Sequence, residues 1–195
     1  SQTRKWWNKT AFMENCTLRQ VETFSEIAPL FEQASATDHP NAKNFLADKM
    51  EKRWNNYLQF HILEKGNDVI SFAGIYKYSD KLVRVADRLF TFEQYRQTSF
   101  NKNVVEKIRP AVDYFIPAHT RWAKGKNLNC FYSIGAEKKR RGIERVTALL
   151  DPELGYSVLP GWYATCNPTL KKCWQTIACT VNDIDLPKKL DVEFV

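Results

Sequence analysis

The chain has 195 residues, 44% of them hydrophobic and 13% aromatic, which is enough for a core of ordinary size that needs no staple. Charged residues make up 26% and the apolar runs are short, which argues against a membrane-spanning helix or a cleaved leader and leads us to expect a soluble, cytoplasmic protein. With 29 basic and 22 acidic residues the net charge is +7, a balance that favours anionic partners such as nucleic acid, coenzyme phosphates or acidic proteins.

The chain reads as one domain over 1–195, with 1–15 as an N-terminal arm and 182–195 as a C-terminal tail. The arm carries "RKWWNK", where Arg4, Lys5 and Lys9 flank Trp6 and Trp7. "CTLRQVE", Cys16 to Glu22, reads as a short strand. In "FSEIAPLFEQA" a helix follows, with Ser25 as N-cap and Ile27, Leu30, Phe31 and Ala34 at helical spacing. A second helix falls in "NAKNFLADKMEKRWNN", its apolar face made by Phe45, Leu46, Met50 and Trp54.

From Tyr57 the period shortens. "YLQFHILE", "DVISFAGIYKYS" and "LVRVADRLFTF" are β-like runs joined by the short polar links "KGND" and "SDK", which suit an antiparallel meander. A helical run then passes through "NVVEKIRPAVDYF", kinked at Pro110 and ended or restarted at Pro117. "NLNCFYSIG" is the next strand, and "AEKKRRGIERVTALL" a helix with Ile143, Val146, Leu149 and Leu150 on its apolar side. "GWYATCN" and "CWQTIACTV" close the chain as a hairpin across "PTLKK". The fold class is therefore α/β, a mixed sheet: an antiparallel meander followed by β-α-β-α-β-β, with helices on both faces.

Five cysteines, Cys16, Cys130, Cys166, Cys173 and Cys179, include no C-x-x-C pair and have no histidine at zinc-finger spacing, so they read as reduced or buried thiols and no metal site is expected. His39 and His119 stand beside Pro or Thr in expected loops, and His61 shares a strand face with Tyr57, Gln59 and Leu63.

This order of elements, with "CTLRQVETFSEIAPLFEQA", "VRVADRLFTFEQYR" and "NLNCFYSIGAEKKRRGIERVTALL" as its opening, fourth-strand and fifth-strand passages, resembles the GNAT (Gcn5-related N-acetyltransferase) superfamily. Within it the chain is similar to small, divergent acyltransferase-like proteins of phage genomes. The resemblance runs from Cys16 to Val181 in element order and is sharp around Val83 to Arg96. It implies acetyl-CoA as co-substrate and an amine acceptor that the sequence does not name. The coenzyme would lie along the backbone of Leu89, Phe90 and Thr91, with its pyrophosphate over the turn that follows. That turn in the family reads Arg or Gln, two residues, Gly, one residue, Gly or Ala. Here it is Arg96, Gln97, Thr98, Ser99, Phe100 and Asn101: the leading basic residue is kept, Ser99 and Asn101 replace the small positions, and no glycine occurs between Gly74 and Gly125. Asn tolerates left-handed geometry and Ser and Asn both cap helices, so a helix N-terminus can still offer N–H groups to an anion there.

Amine acyl transfer needs a base for the amine, a donor for the developing oxyanion and an acid for the leaving thiolate. By the resemblance, Asp87 in the fourth strand is the base, Glu93 at the strand end a second base and Tyr132 in the fifth strand the acid. Simple alternation places Val83, Val85, Asp87, Leu89 and Thr91 on one face, so the carboxylate interrupts an apolar stripe and is costly unless partnered, for example by Arg84 or Arg88. Glu93 also reads as a surface residue and Tyr132 as a packed one. The competing function is non-catalytic binding of a nucleic acid or protein partner, for which "EKKRRGIER" supplies Lys138, Lys139, Arg140, Arg141 and Arg145 on one helix.

Overall fold

A computed structural model describes residues 15–96, 109–137, 142–159, 166–167 and 172–181. In chain order these form β1 (Cys16–Gln20), α1 (Phe24–Ser35), a 3-10 turn (Ala42–Phe45), α2 (Ala47–Trp54), β2 (Tyr57–Lys65), β3 (Asp68–Ser79), β4 (Leu82–Thr91) and a 3-10 turn (Glu93–Tyr95). A π-helical turn (Ala111–Phe115) then leads into α3 (Ile116–Gly125), β5 (Asn129–Glu137), α4 (Gly142–Leu149), a 3-10 turn (Pro152–Leu154), β6 (Ser157–Val158), β7 (Cys166–Asn167) and β8 (Lys172–Cys179). The order expected from sequence holds, with the short β6 as an addition.

The sheet runs β1-β2-β3-β4-β5-β8-β6, and β7 also pairs with β8. β1 is antiparallel to β2, from Cys16 opposite Lys65 to Gln20 opposite His61. β4 and β5 are parallel, the pairing that a helical crossover permits, but only Leu82, Val83 and Arg84 have partners, in Asn129, Cys130 and Phe131. β5 is instead held along its length by antiparallel β8, from Cys130 opposite Cys179 to Glu137 opposite Lys172. The closing hairpin is present as Cys166 opposite Cys173 and Asn167 opposite Lys172.

The chain divides into two compact units, Ser1–Gly74 with Arg88–Phe115, and Ile75–Asp87 with Ile116–Val195. In the first, Phe31 of α1 meets Phe72 of β3 at 5.2 Å and Phe60 of β2 at 5.5 Å, both edge to face, the arrangement the aromatic quadrupole favours. Val21, Ile27, Ala34, Phe45, Met50, Ile62 and Phe90 belong to the same core. In the second unit Leu82, Phe131 and Ala178 pack with Tyr78 against them.

Local chemistry explains where these helices begin and three departures from the sequence reading. The N-cap of α1 is Thr23 and not Ser25, because Glu26 reaches back so that its carboxylate accepts from the backbone N–H of Glu22 at 2.8 Å and of Thr23 at 3.3 Å. Those two N–H groups hold the Glu26 carboxyl below its ordinary pKa. Leu46 is not part of an apolar face: the chain breaks there between the 3-10 turn and α2, leaving it 41% exposed. On α4, Ile143 and the following Leu150 are buried, whereas Leu149 is exposed, because an eight-residue helix turns only part of its surface inward.

Candidate active site

β4 does not alternate as a plain strand would. Ala86 and Arg88 have φ of 50° and 51°, and Val85, Ala86 and Asp87 are buried in succession, so Asp87 does not share a simple stripe with Val83 and Thr91 as the sequence led us to expect. Left-handed geometry costs a non-glycine residue roughly 1–2 kcal/mol, so surrounding structure has to hold it. His119 supplies part of that hold. Fully buried on α3, it accepts the Ala86 N–H at Nδ1 over 3.0 Å. The bond requires an unprotonated Nδ1, so a neutral ring here carries its proton on Nε2.

Asp87, next along the strand, is 1% exposed, and its Oδ1 lies 3.4 Å from Arg84 Nε. The guanidinium, at Nη2, also donates to the Ser133 carbonyl of β5 at 3.5 Å. Beside Ser133, half-buried Tyr132 has its hydroxyl pushed up to about 12 by loss of water, with Arg84 pulling the other way. Arg84 thus joins the expected base and the expected acid to one charged group. The second expected base, Glu93, is exposed on its 3-10 turn in the other unit.

The coenzyme-binding residues expected in the first unit have distinct environments. Leu89 and Thr91 are half-buried, whereas the Phe90 ring is core, 5.2 Å from Phe45, and its carbonyl accepts from Ser71 Oγ at 2.7 Å. Arg96 folds back: Nε donates to the Thr91 carbonyl at 2.6 Å and the guanidinium stands 4.8 Å from the Phe90 ring centre. Its Nη2 is buried without a hydrogen-bond partner among the described residues, and this desolvation lowers the pKa of the group while Glu93 opposes the shift. Gln97, Thr98, Ser99, Phe100 and Asn101 lie outside the described residues, as do the Trp6–Trp7 arm and Lys138, Lys139, Arg140 and Arg141. Arg145 is exposed on α4.

His119 was expected in a loop and is a helical core residue. The signal was present: Ile116, His119, Thr120 and Ala123 are spaced as one buried helix face. His61 is half-buried in β2, and burial lowers its pKa. Among the described residues no helix is long and apolar enough to cross a membrane, and no group of three or more His, Cys, Asp or Glu is arranged to hold a metal ion.

No family model matches the sequence, and no curated protein matches it significantly. Solved structures do match. The ribosomal-protein-S18-alanine N-acetyltransferase from Escherichia coli is 10% identical, with 92% of this chain and 99% of that one covered at a TM-score of 0.51. An acetyltransferase from Streptococcus agalactiae is 10% identical, with 86% and 99% covered at 0.52. At this identity the likeness is one of fold.

Proposed function

We propose that this GNAT-fold chain is an acyl-CoA-dependent N-acyltransferase that takes acetyl-CoA as donor and an amine as acceptor. The observation that carries the reading is the buried carboxylate of Asp87 at a strained bend of β4, just past Arg84, where the pairing with β5 ends. A carboxylate and strained backbone are expensive to maintain, and such features cluster where chemistry uses them.

The residues present fit the donor. The Arg96 Nη2 is buried without a partner among the described residues, and a phosphate oxygen would satisfy it; Leu89 to Thr91 would lie along the pantetheine, and the family resemblance assigns the pyrophosphate to Gln97 to Asn101, outside the described residues. The thioester supplies the activated acyl group. Asp87 takes the proton from the amine as its nitrogen attacks, and Arg84 steadies the carboxylate between turns. Tyr132, whose raised pKa keeps it protonated at neutral pH, gives its proton to the departing thiolate. Glu93, exposed on its 3-10 turn, is the reserve base.

Calorimetry of the purified protein with acetyl-CoA and with CoA tests the proposal. Binding heat and a rise in Tm are expected; neither at millimolar ligand would reject it. A second reading, a non-catalytic GNAT-fold protein that binds nucleic acid or a protein partner, is favoured by the lack of glycine from Gly74 to Gly125. Binding of acetyl-CoA without transfer to any amine tested would support that alternative.

A further inference from the structure

Cys130 of β5 and Cys179 of β8 are register partners in an antiparallel pair, and both are buried, at 0% and 4% exposure. Residues directly opposite in such a pair have Cα atoms about 4.5–5.5 Å apart and point to the same face. That span lies within the roughly 4.4–6.8 Å that a disulfide bridges.

Their surroundings are polar and specific. The Cys179 thiol donates to the Leu154 carbonyl at 3.0 Å, and the Lys124 ammonium donates to that same oxygen at 2.6 Å. Cys130 Sγ lies 3.3 Å from Tyr156 Oη, which is 2.6 Å from Thr120 Oγ1. A hydrogen bond from Cys130 and the charge on Lys124 bring the Cys179 thiol down to about 6, while the same thiol–thiol bond and burial push Cys130 up. One cysteine is therefore the better nucleophile and its partner the one that holds its proton.

Gly155 is the surface residue through which we expect an oxidant to approach the pair. It is exposed, and with φ of 82° it is unsuited to any side chain; a Cβ there would sit 3.5 Å from Cys179 Sγ and 3.6 Å from Lys124 Nζ. The Cys179 sulfur and the Lys124 ammonium thus both lie close to one exposed residue that carries no side chain.

We propose that Cys179 and Cys130 form an oxidative modification site, a thiol pair that a hydroperoxide closes into a reversible disulfide. The Cys179 thiolate attacks one peroxide oxygen: the S–O bond forms, the O–O bond breaks, and the released alkoxide or hydroxide takes up a proton. The Cys130 sulfur then attacks the Cys179 sulfenic acid; the S–S bond forms, the S–O bond breaks, and water leaves with the Cys130 proton. Two thiols lose two electrons, and the hydroperoxide is reduced to an alcohol, or to water, with one further water released. Closure strands no buried group, because Leu154 keeps Lys124 and Tyr156 keeps Thr120 when the thiols withdraw.

The site is independent of acyl transfer, and its test needs no acceptor. The full chain is treated with hydrogen peroxide, quenched in acid, unfolded, alkylated and mapped by mass spectrometry, so that Cys16 and the other register pair, Cys166 and Cys173, are scored alongside. A linked Cys130–Cys179 peptide is expected, lighter than the two thiols by about 2 Da, lost on treatment with dithiothreitol, and accompanied by a higher Tm in the oxidised protein. In Cys130→Ser, which lacks the resolving thiol, Cys179 advances instead to sulfinic acid. Cys130 and Cys179 both still alkylated after peroxide, or a linkage confined to Cys166 and Cys173, overturns the proposal.

Discussion

Asp87 has its carboxylate buried to 1%, with Arg84 Nε at 3.4 Å from Oδ1. If it serves as the base, Asp87→Asn lowers turnover by roughly 100-fold or more with acetyl-CoA affinity nearly unchanged, the scale of losing one proton acceptor. If Asp87 only neutralises Arg84, the same variant loses thermal stability and coenzyme affinity together, since removing one member of a buried pair leaves the other uncompensated. Measuring Tm, affinity and transfer on the one protein separates these outcomes. His119 is tested through its acceptor atom. His119→Asn places an amide oxygen near the position of Nδ1, whereas His119→Leu leaves the buried Ala86 N–H unsatisfied, at a cost of about 1–3 kcal/mol. Denaturant unfolding should rank the wild type first, Asn next and Leu last; equal stability of the two variants would remove His119 from its role in holding the bend.

At the scale of elements, the first unit depends on strands that approach closely enough for rings to meet. Gly74 in β3 is where this contact is tightest: a Cβ there would fall 2.4 Å from Phe60 Cδ2 and 2.5 Å from Tyr57 Cδ1. Phe60 is 1% exposed and wedged edge-on to both Phe31 and Tyr57, so it has little room to withdraw. Gly74→Ala should therefore destabilise the fold by about 1–3 kcal/mol through overpacking, read as a lower denaturation midpoint at unchanged slope. An unchanged or raised midpoint would mean that the two rings can move aside together.

Over the whole molecule, a net charge of +7 would act on the coenzyme of the proposed reaction, which carries several phosphate charges. Such a field speeds encounter with a polyanion and is screened within about 8 Å at physiological ionic strength. The association rate of acetyl-CoA should fall as salt rises, while the dissociation rate changes less, because the contacts made after docking are local. Stopped-flow measurement across a salt series checks this. A rate indifferent to salt would assign the charge excess to solubility, or to a different partner.

Much of this architecture was legible in the residues themselves. The β-like runs of the meander, the helical spacing of Ile27, Phe31 and Ala34, and the short polar links "KGND" and "SDK" all rest on local pattern, which near neighbours in sequence set. Asp87, Tyr132 and Arg84 were nameable because charge and hydroxyl stand out against apolar strands. What periodicity could not give was the bend in β4. Ala86 and Arg88 are not residues that announce positive φ, and the group that helps hold this geometry, His119, arrives from the crossover helix, 33 residues on from Ala86. The same holds for Cys130 and Cys179, which meet only because β8 returns antiparallel to β5, and for Arg96, whose guanidinium turns back on Thr91 and Phe90. By itself the sequence determined the order of the main strands and helices, though neither the short β6 nor the helical place of His119, and which residues carry reactive groups. Only the tertiary structure decided which of those groups are dry, strained or paired, because desolvation and partnership depend on segments brought together from distant parts of the chain.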